Sequence, residues 1–196
     1  MSENAKKKRS RKQSPEELLN EAVANHESSF ESWQSYREFG GQDPFWADGC
    51  NMNLIRNHII YYKRQISELC EQNGLEIPKC WERELPPLMD IDYMAQPDKI
   101  REGAKEALIR MKGYPAYLEL LAIRNVFSPK QLEKISYFNV IEYVTGLEMA
   151  IEQDDLLTQR RYCYNNYLDN FENCLKRSRE LKPESFQLNL FDQISA

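Results

Sequence analysis

The densest run of side chains that could do chemistry lies within residues 43–58. Asp43 and Asp48 offer two carboxylates, and Arg56 and His58 follow within the next predicted helix. A carboxylate pair beside a histidine base is a combination used for general acid–base catalysis. The same residues also have a structural interpretation, because Asp48 precedes a predicted helix and can cap its unpaired backbone N–H groups. We expect the capped loop, and the polar site stays open as an alternative.

A second short motif lies at residues 187–191, which read Gln-Leu-Asn-Leu-Phe. It resembles the peptide Gln-Leu-Ser/Asp-Leu-Phe, by which bacterial polymerases, mismatch-repair proteins and clamp loaders bind the replication sliding clamp. The resemblance covers five of 196 residues, and asparagine stands at its third position. It implies that Leu190 and Phe191 enter one apolar pocket of the clamp, with Leu188 at the margin and the Gln187 amide at the mouth. The alternative is that these apolar side chains fold back onto the helices.

Charge is concentrated at the N-terminal end of the sequence. Residues 1–12 hold one acidic side chain and six basic ones, namely Lys6, Lys7, Lys8, Arg9, Arg11 and Lys12. The other 184 residues hold 20 basic and 30 acidic side chains. An acidic body repels phosphates, which argues against a broad DNA-binding surface. The basic arm could contact the DNA backbone locally, or it could be a solvated tail.

Neither the cysteines nor the histidines predict a metal or cofactor site. None of the five cysteines forms a C-x-x-C pair, so we expect reduced and mostly buried thiols. The only histidines, His26 and His58, do not occur in a metal-binding spacing such as H-E-x-x-H. There is also no glycine-rich phosphate loop, no membrane-length apolar run and no apolar secretory signal. We therefore expect no cofactor, no metal, no membrane partner and a cytoplasmic location.

The elements that position these residues are predicted to be helices. Ser14-Pro15 followed by Glu17 forms a capping box, and Ser128-Pro129 followed by Gln131 forms another. Residues 75–97 contain four prolines and predict an extended connection held by Trp81, Leu85 and Leu88. Aromatic residues of the last two helices could stack on bases, but their helical spacing favours a core. The predicted helices span about 14–39, 51–73, 97–113, a short helix from 115, 128–151 and 154–181.

These signals predict an all-α bundle of five to six helices. Residues 1–13 form a disordered basic arm, 14–182 a helical domain and 183–196 a clamp-binding tail. The stretch 43–66 resembles uncharacterised proteins of phages and conjugative elements of gut Firmicutes. Together the resemblances imply a non-enzymatic accessory protein of DNA replication or repair that binds the sliding clamp, DNA through the arm, and a second protein. The alternatives are a clamp-tethered DNA-acting enzyme and a defence or counter-defence module that binds another protein.

Overall fold

The computed structural model describes residues 13–164 and 166–181, without the side chain of Tyr164. Within these ranges the chain forms eight α-helices, one short 3-10 helix at Lys79–Glu82 and no strand, so the all-α class is confirmed. The arm residues 1–12 and residues 182–196 lie outside the described ranges. The helices are α1 (Pro15–Phe39), α2 (Asp48–Asn73), α3 (Pro97–Lys112), α4 (Pro115–Ile123), α5 (Pro129–Ile135), α6 (Tyr137–Glu152), α7 (Leu156–Tyr164) and α8 (Tyr167–Glu180).

The predicted count of five to six helices is wrong because two of the predicted helices are interrupted. The predicted helix 128–151 ends and restarts at Ser136, whose backbone is left-handed at φ 58° and ψ 30°. The predicted helix 154–181 is interrupted between Tyr164 and Tyr167, where Asn166 has a non-helical ψ of 74°. Neither break is marked by a glycine or proline, which are the residues that usually signal such a stop.

The start of α1 and the end of α2 lie where the sequence predicts them. The Ser14 hydroxyl accepts a hydrogen bond from the Glu17 N–H at 3.2 Å, and the Glu17 carboxylate accepts one from the Ser14 N–H at 2.8 Å. Gly74 ends α2 in the left-handed conformation that glycine adopts without steric cost. The start of α2 differs, because the helix begins at Asp48 rather than near residue 51.

The described residues belong to two compact units, and the first comprises residues 13–41 and 47–95. Helices α1 and α2 pack together in it around Phe30, Trp33, Met52 and Ile59, all of which are buried. A second apolar cluster adds the inward face of α2 near residues 66–70. The predicted apolar stripe of α2 is therefore confirmed as the face that packs.

The connection from α2 to the end of the first unit is only partly held as expected. The Trp81 ring packs on the apolar cluster, and its Nε1 donates to the Lys63 carbonyl at 3.1 Å. Leu85 and Leu88 are exposed, so the expectation that they hold the connection is wrong. The buried residue in their place is Pro86.

The second unit comprises residues 42–46 and the described part of the chain from 96 onward. Its core is one apolar cluster to which α3 to α8 all contribute. Tyr117 stacks on the buried Phe171 at 5.3 Å between ring centroids, and Tyr162 stacks on Tyr167 at 5.0 Å. The aromatic residues of α8 therefore serve the core. None of the helices in the described ranges combines the length and the apolar character needed to cross a bilayer.

Candidate functional site

Asp48 lies at the centre of the predicted polar site and is fully buried at the first residue of α2. Its Oδ1 accepts a hydrogen bond from the Gly41 N–H at 2.9 Å, and its Oδ2 accepts one from the Ala95 N–H at 2.9 Å. The carboxylate thus ties the chain after α1 and the end of the connection to the start of α2. The positive end of a helix dipole also favours a negative charge at this position.

The next residue, Gly49, allows the connection to approach α2 at close range. Its N–H donates to the Tyr93 carbonyl at 2.9 Å. A Cβ built on Gly49 would lie 1.7 Å from the Asp90 carbonyl oxygen. We call the contacts of Asp48 and Gly49 with Gly41, residues 90–93 and Ala95 the Asp48 junction.

The other residues of the predicted polar site do not share this environment. The Arg56 Nε donates to the Pro86 carbonyl at 2.8 Å, and the His58 side chain is exposed. Asp48 and His58 are ten residues apart on one helix, which corresponds to about 15 Å along its axis. Asp43 lies in the second unit, where its Oδ1 accepts from the N–H groups of Phe45 and Trp46 at 2.8 and 3.1 Å. The structure therefore gives these residues separate contacts.

Two arginines of α7, which the sequence did not single out, hold the turn at residues 43–46. Arg160 is 3% exposed, and its Nη2 donates to the carbonyls of Asp43 and Trp46, both at 2.7 Å. The Arg161 Nε donates to the Pro44 carbonyl at 2.8 Å. These are backbone contacts over more than a hundred residues of separation, for which the sequence carries no local signal.

An open groove of about 500 Å³ lies between α6 and α8 in the second unit. Three asparagines, Asn139, Asn170 and Asn173, line it together with two cations, Lys176 and Arg177. We call it the amide groove. Its lining residues are Ser136, Asn139, Val140, Tyr143, Asn170, Asn173, Cys174, Lys176, Arg177 and Glu180.

The asparagines and cations of the amide groove do not stabilise the fold through hydrogen bonds or ion pairs with other described residues. Among the described residues, the three asparagine amides have no hydrogen-bond partner, and the two cations have no ion-pair partner. Cys174 is buried in the floor, and burial raises the pKa of its thiol, against a smaller opposing effect of Arg177. A protonated thiol is a poor nucleophile, so the arrangement favours binding through amides and cations rather than covalent chemistry.

One titratable group in the first unit is buried without a polar contact. His26 is fully buried in α1 and meets the Phe30 ring edge-on at 5.1 Å between centroids. Neither ring nitrogen has a hydrogen-bond partner within the described residues. Burial lowers the pKa of His26, and the nearby Lys63 and Arg83 lower it further. The ring therefore stays neutral near pH 7 and serves as an apolar core residue.

The remaining predicted residues fall outside the described ranges or form no site. The clamp-binding residues Gln187, Leu188, Leu190 and Phe191 and the arm residues Lys6, Lys7, Lys8, Arg9, Arg11 and Lys12 are among those not described. Within the described ranges, no group of three histidine, cysteine, aspartate or glutamate side chains could hold a metal ion. All five cysteines are free thiols, and only Cys70 and Cys174 are buried, so the expectation that most of them are buried is wrong. Comparison with protein-family models, curated proteins and solved structures finds no match to this chain.

Proposed function

We propose that this protein is an adaptor that binds a bacterial replication sliding clamp through Gln187, Leu188, Leu190 and Phe191. The observation that carries the proposal is the pentapeptide at 187–191, which combines a leading glutamine with a terminal leucine and phenylalanine. The adaptor acts at DNA replication or repair as an accessory protein of a phage or another mobile element. The basic residues of the arm add a contact to DNA phosphates.

The chemistry of the peptide suits reversible binding. Burying Leu190 and Phe191 in an apolar pocket stabilises the complex by roughly 1.5–3 kcal/mol for each side chain. Ordering the peptide offsets part of this gain, so we expect a dissociation constant of about 1 μM to tens of micromolar. Because the clamp encircles DNA, even weak binding raises the local concentration of the adaptor at the replication site.

Two structural observations support an adaptor. Leu181 packs on the core of the second unit, and the pentapeptide begins six residues further along, so the body is joined to it by a short segment. The Asp48 carboxylate accepts hydrogen bonds from backbone N–H groups, and His58 lies about 15 Å from it along α2. These contacts give the polar residues of α2 a structural task and favour binding over catalysis.

Titration of a purified bacterial sliding clamp with the full chain tests the proposal. A synthetic peptide of residues 183–196 is titrated in parallel, so that the motif is measured both on the protein and alone. We expect saturable binding of the peptide and of the full chain by calorimetry or fluorescence anisotropy. The double variant Leu190→Ala/Phe191→Ala should weaken binding at least about a hundredfold, because it removes both pocket side chains.

The matched control is Phe186→Ala, which removes an aromatic ring from the same segment but outside the pentapeptide. It should retain the affinity of the unaltered chain within about threefold, a difference of less than 1 kcal/mol. If neither the peptide nor the full chain binds at tens of micromolar, the proposal is wrong. Equal losses for the control and the double variant would likewise show that the pentapeptide is not the recognition element.

A further inference from the structure

We propose that the amide groove binds residues 183–196 of the same chain in an extended conformation, so that the body of the protein competes with the clamp for this segment. The docking itself is independent of clamp binding. Only the competition rests on the proposed function.

Two helical stripes with regular spacing form the walls of the groove. On α6, Asn139 and Tyr143 lie four residues apart and therefore face the same side, and Ser136 lines the groove just before the helix begins. On α8, the lining residues extend over eleven positions from Asn170 to Glu180. The groove is therefore a linear channel along α8 rather than a round pocket, and this shape suits an extended chain.

The polar side chains of the channel complement a peptide backbone. Each asparagine amide can donate and accept hydrogen bonds, and an extended segment offers both N–H and C=O groups along its length. Asn139 lies on one wall, and Asn170 and Asn173 lie on the other. All three are exposed to solvent, so binding a segment only requires the displacement of water.

The apolar floor fits alternate side chains of such a segment. Val140 and Cys174 line the groove and are 1% and 6% exposed, and the half-buried Tyr143 lies beside them. In an extended chain, Leu188 and Leu190 point to the same side, because side chains alternate with a period of two. Because Val140 and Cys174 are almost fully buried, the leucines would pack mainly against the accessible part of the Tyr143 ring while the backbone meets the amides.

The connection from α8 to the segment has the length that this binding needs. Glu180 lines the groove, and Leu181 packs on the adjacent core, so the chain leaves the body at one end of the channel. The stripe from Asn170 to Glu180 rises about 15 Å, which five extended residues span. Residues 182–186 then allow the chain to reverse, and residues 187–191 run antiparallel to α8.

The charges also agree with this direction. Lys176 and Arg177 lie toward the Glu180 end of the channel and have no ion-pair partner among the described residues. The segment carries carboxylates at Glu184 and Asp192, and Glu184 reaches the channel first. Glu180 adds a carboxylate at the same end, but the two cations outnumber it, so the local charge still favours the acidic side chain.

Because the segment is joined to the body by a short connection, weak contacts are enough to keep it in the groove. A short connection gives an effective concentration in the millimolar range, so even a millimolar intrinsic affinity keeps much of the segment bound. When the bound form exceeds the free form by a given factor, the affinity of the clamp for the full chain falls by about the same factor. We expect a factor of about ten for the unaltered protein, which corresponds to an intrinsic dissociation constant of about one tenth of the effective concentration.

Millisecond hydrogen–deuterium exchange on the full chain tests the docking. Backbone amides of residues 187–191 should exchange about tenfold more slowly in the protein than in the synthetic peptide 183–196. The variant Asn170→Asp/Asn173→Asp should abolish this protection, because it removes two donors and adds two charges that repel Glu184 and Asp192. Its helix content should match that of the unaltered chain, and its thermal midpoint should fall only by the few degrees that loss of the docked segment accounts for.

The matched control is Asn20→Asp/Asn57→Asp, which makes the same chemical change at two exposed positions on α1 and α2. It should keep the protection. Exchange of residues 187–191 at the rate of the free peptide in the unaltered chain would overturn the inference. Protection that survives in the groove variant would also overturn it, because the segment would then be held elsewhere.

Clamp titration distinguishes this inference from the proposed function. The groove variant should bind the clamp about tenfold more tightly than the unaltered chain and about as tightly as the peptide. Equal affinities of all three would show that the groove does not compete. If the clamp binds neither the peptide nor any chain, the proposed function fails, whereas the exchange experiment still decides whether the groove holds the segment.

Discussion

The Asp48 junction and the amide groove are both rich in polar groups. Those of the junction are hydrogen-bonded within the protein, whereas those of the groove are exposed to solvent. At the junction the Asp48 carboxylate is fully buried, and both of its oxygens accept hydrogen bonds from backbone N–H groups. In the groove, Asn139, Asn170 and Asn173 are exposed and have no hydrogen-bond partner among the described residues. The dense polar run in the sequence therefore builds the fold, whereas scattered asparagines leave a surface available for binding.

The energetic reason lies in burial. A buried polar group must be hydrogen-bonded within the protein, because leaving it unsatisfied costs about 1–3 kcal/mol. An exposed amide is satisfied by water, and a ligand can replace that water at little cost. Substitutions at the junction should thus change stability, and substitutions in the groove should change binding.

The largest effect is expected at Gly49. In Gly49→Ala the new Cβ would collide with the Asp90 carbonyl oxygen, which lies 1.7 Å from the position it must take. The backbone has to move, so the free energy of unfolding should fall by about 3 kcal/mol or more. Urea unfolding followed by tryptophan fluorescence measures this, since Trp33 and Trp81 lie in the same unit.

Gly113→Ala serves as the control for that change. Gly113 has a φ of −82°, and an added Cβ would meet its nearest neighbour, the Ile109 carbonyl oxygen, at 3.4 Å. Its effect should stay within about 1 kcal/mol. A loss for Gly49→Ala no greater than that of the control would show that the junction is not closely packed.

A smaller loss is expected for Asp48→Asn. The amide keeps one acceptor oxygen. Its NH2 group, however, would face the N–H group of either Gly41 or Ala95, each of which now donates a hydrogen bond to Asp48. Loss of one charge-assisted hydrogen bond, together with a buried donor facing a donor, should reduce the free energy of unfolding by about 2 kcal/mol.

His58→Ala belongs to the same experiment, because His58 lies in the same polar run but is exposed on α2. It should change the free energy of unfolding by less than about 0.5 kcal/mol. If Asp48→Asn and His58→Ala were equally stable, the distinction between Asp48 as a structural carboxylate and His58 as a surface histidine would be wrong. Urea unfolding at pH 7 provides both values under one condition.

The features that could be predicted from the sequence are those set by neighbouring residues. The capping box at Ser14 and Glu17, the left-handed Gly74 and the apolar stripe of α2 all agree with the structure. Each is determined within one or two helical turns, so a local pattern suffices. The break at Ser136 was missed because serine seldom adopts a left-handed backbone, and neither glycine nor proline marks the position.

The candidate groove could not be predicted for a related reason. Asn139 and Asn170 are about thirty positions apart and meet only because α6 and α8 pack in the second unit. An exposed asparagine in a helix carries no pattern that distinguishes a wall of a groove from any other surface position. The Asp48 junction was not predicted: the sequence indicated Asp48 as a cap of the helix that follows, whereas Ala47 is the N-cap and the Asp48 carboxylate accepts from the N–H groups of Gly41 and Ala95, 7 and 47 residues away.

A smaller loss than that at Asp48 is expected for the groove variant Asn170→Asp/Asn173→Asp. Both asparagine side chains are exposed and have no partner among the described residues, so the free energy of unfolding should fall by no more than about 1.4 kcal/mol, which is the stabilisation that a tenfold preference for the bound segment adds to the folded state. The two new carboxylates would lie in the N-terminal half of α8, where a negative charge is tolerated by the helix dipole. Urea unfolding measures the change against the unaltered chain, with Asn20→Asp/Asn57→Asp as the reference for two added charges.

The outcome of that measurement decides whether the two regions differ as their burial indicates. A loss of about 2 kcal/mol, as expected at Asp48, would mean that the groove amides stabilise the fold, and the contrast between the two regions would disappear. A loss of no more than about 1.4 kcal/mol, joined to faster hydrogen exchange of residues 187–191, would show that these amides act on the binding of that segment and not on the packing of the fold.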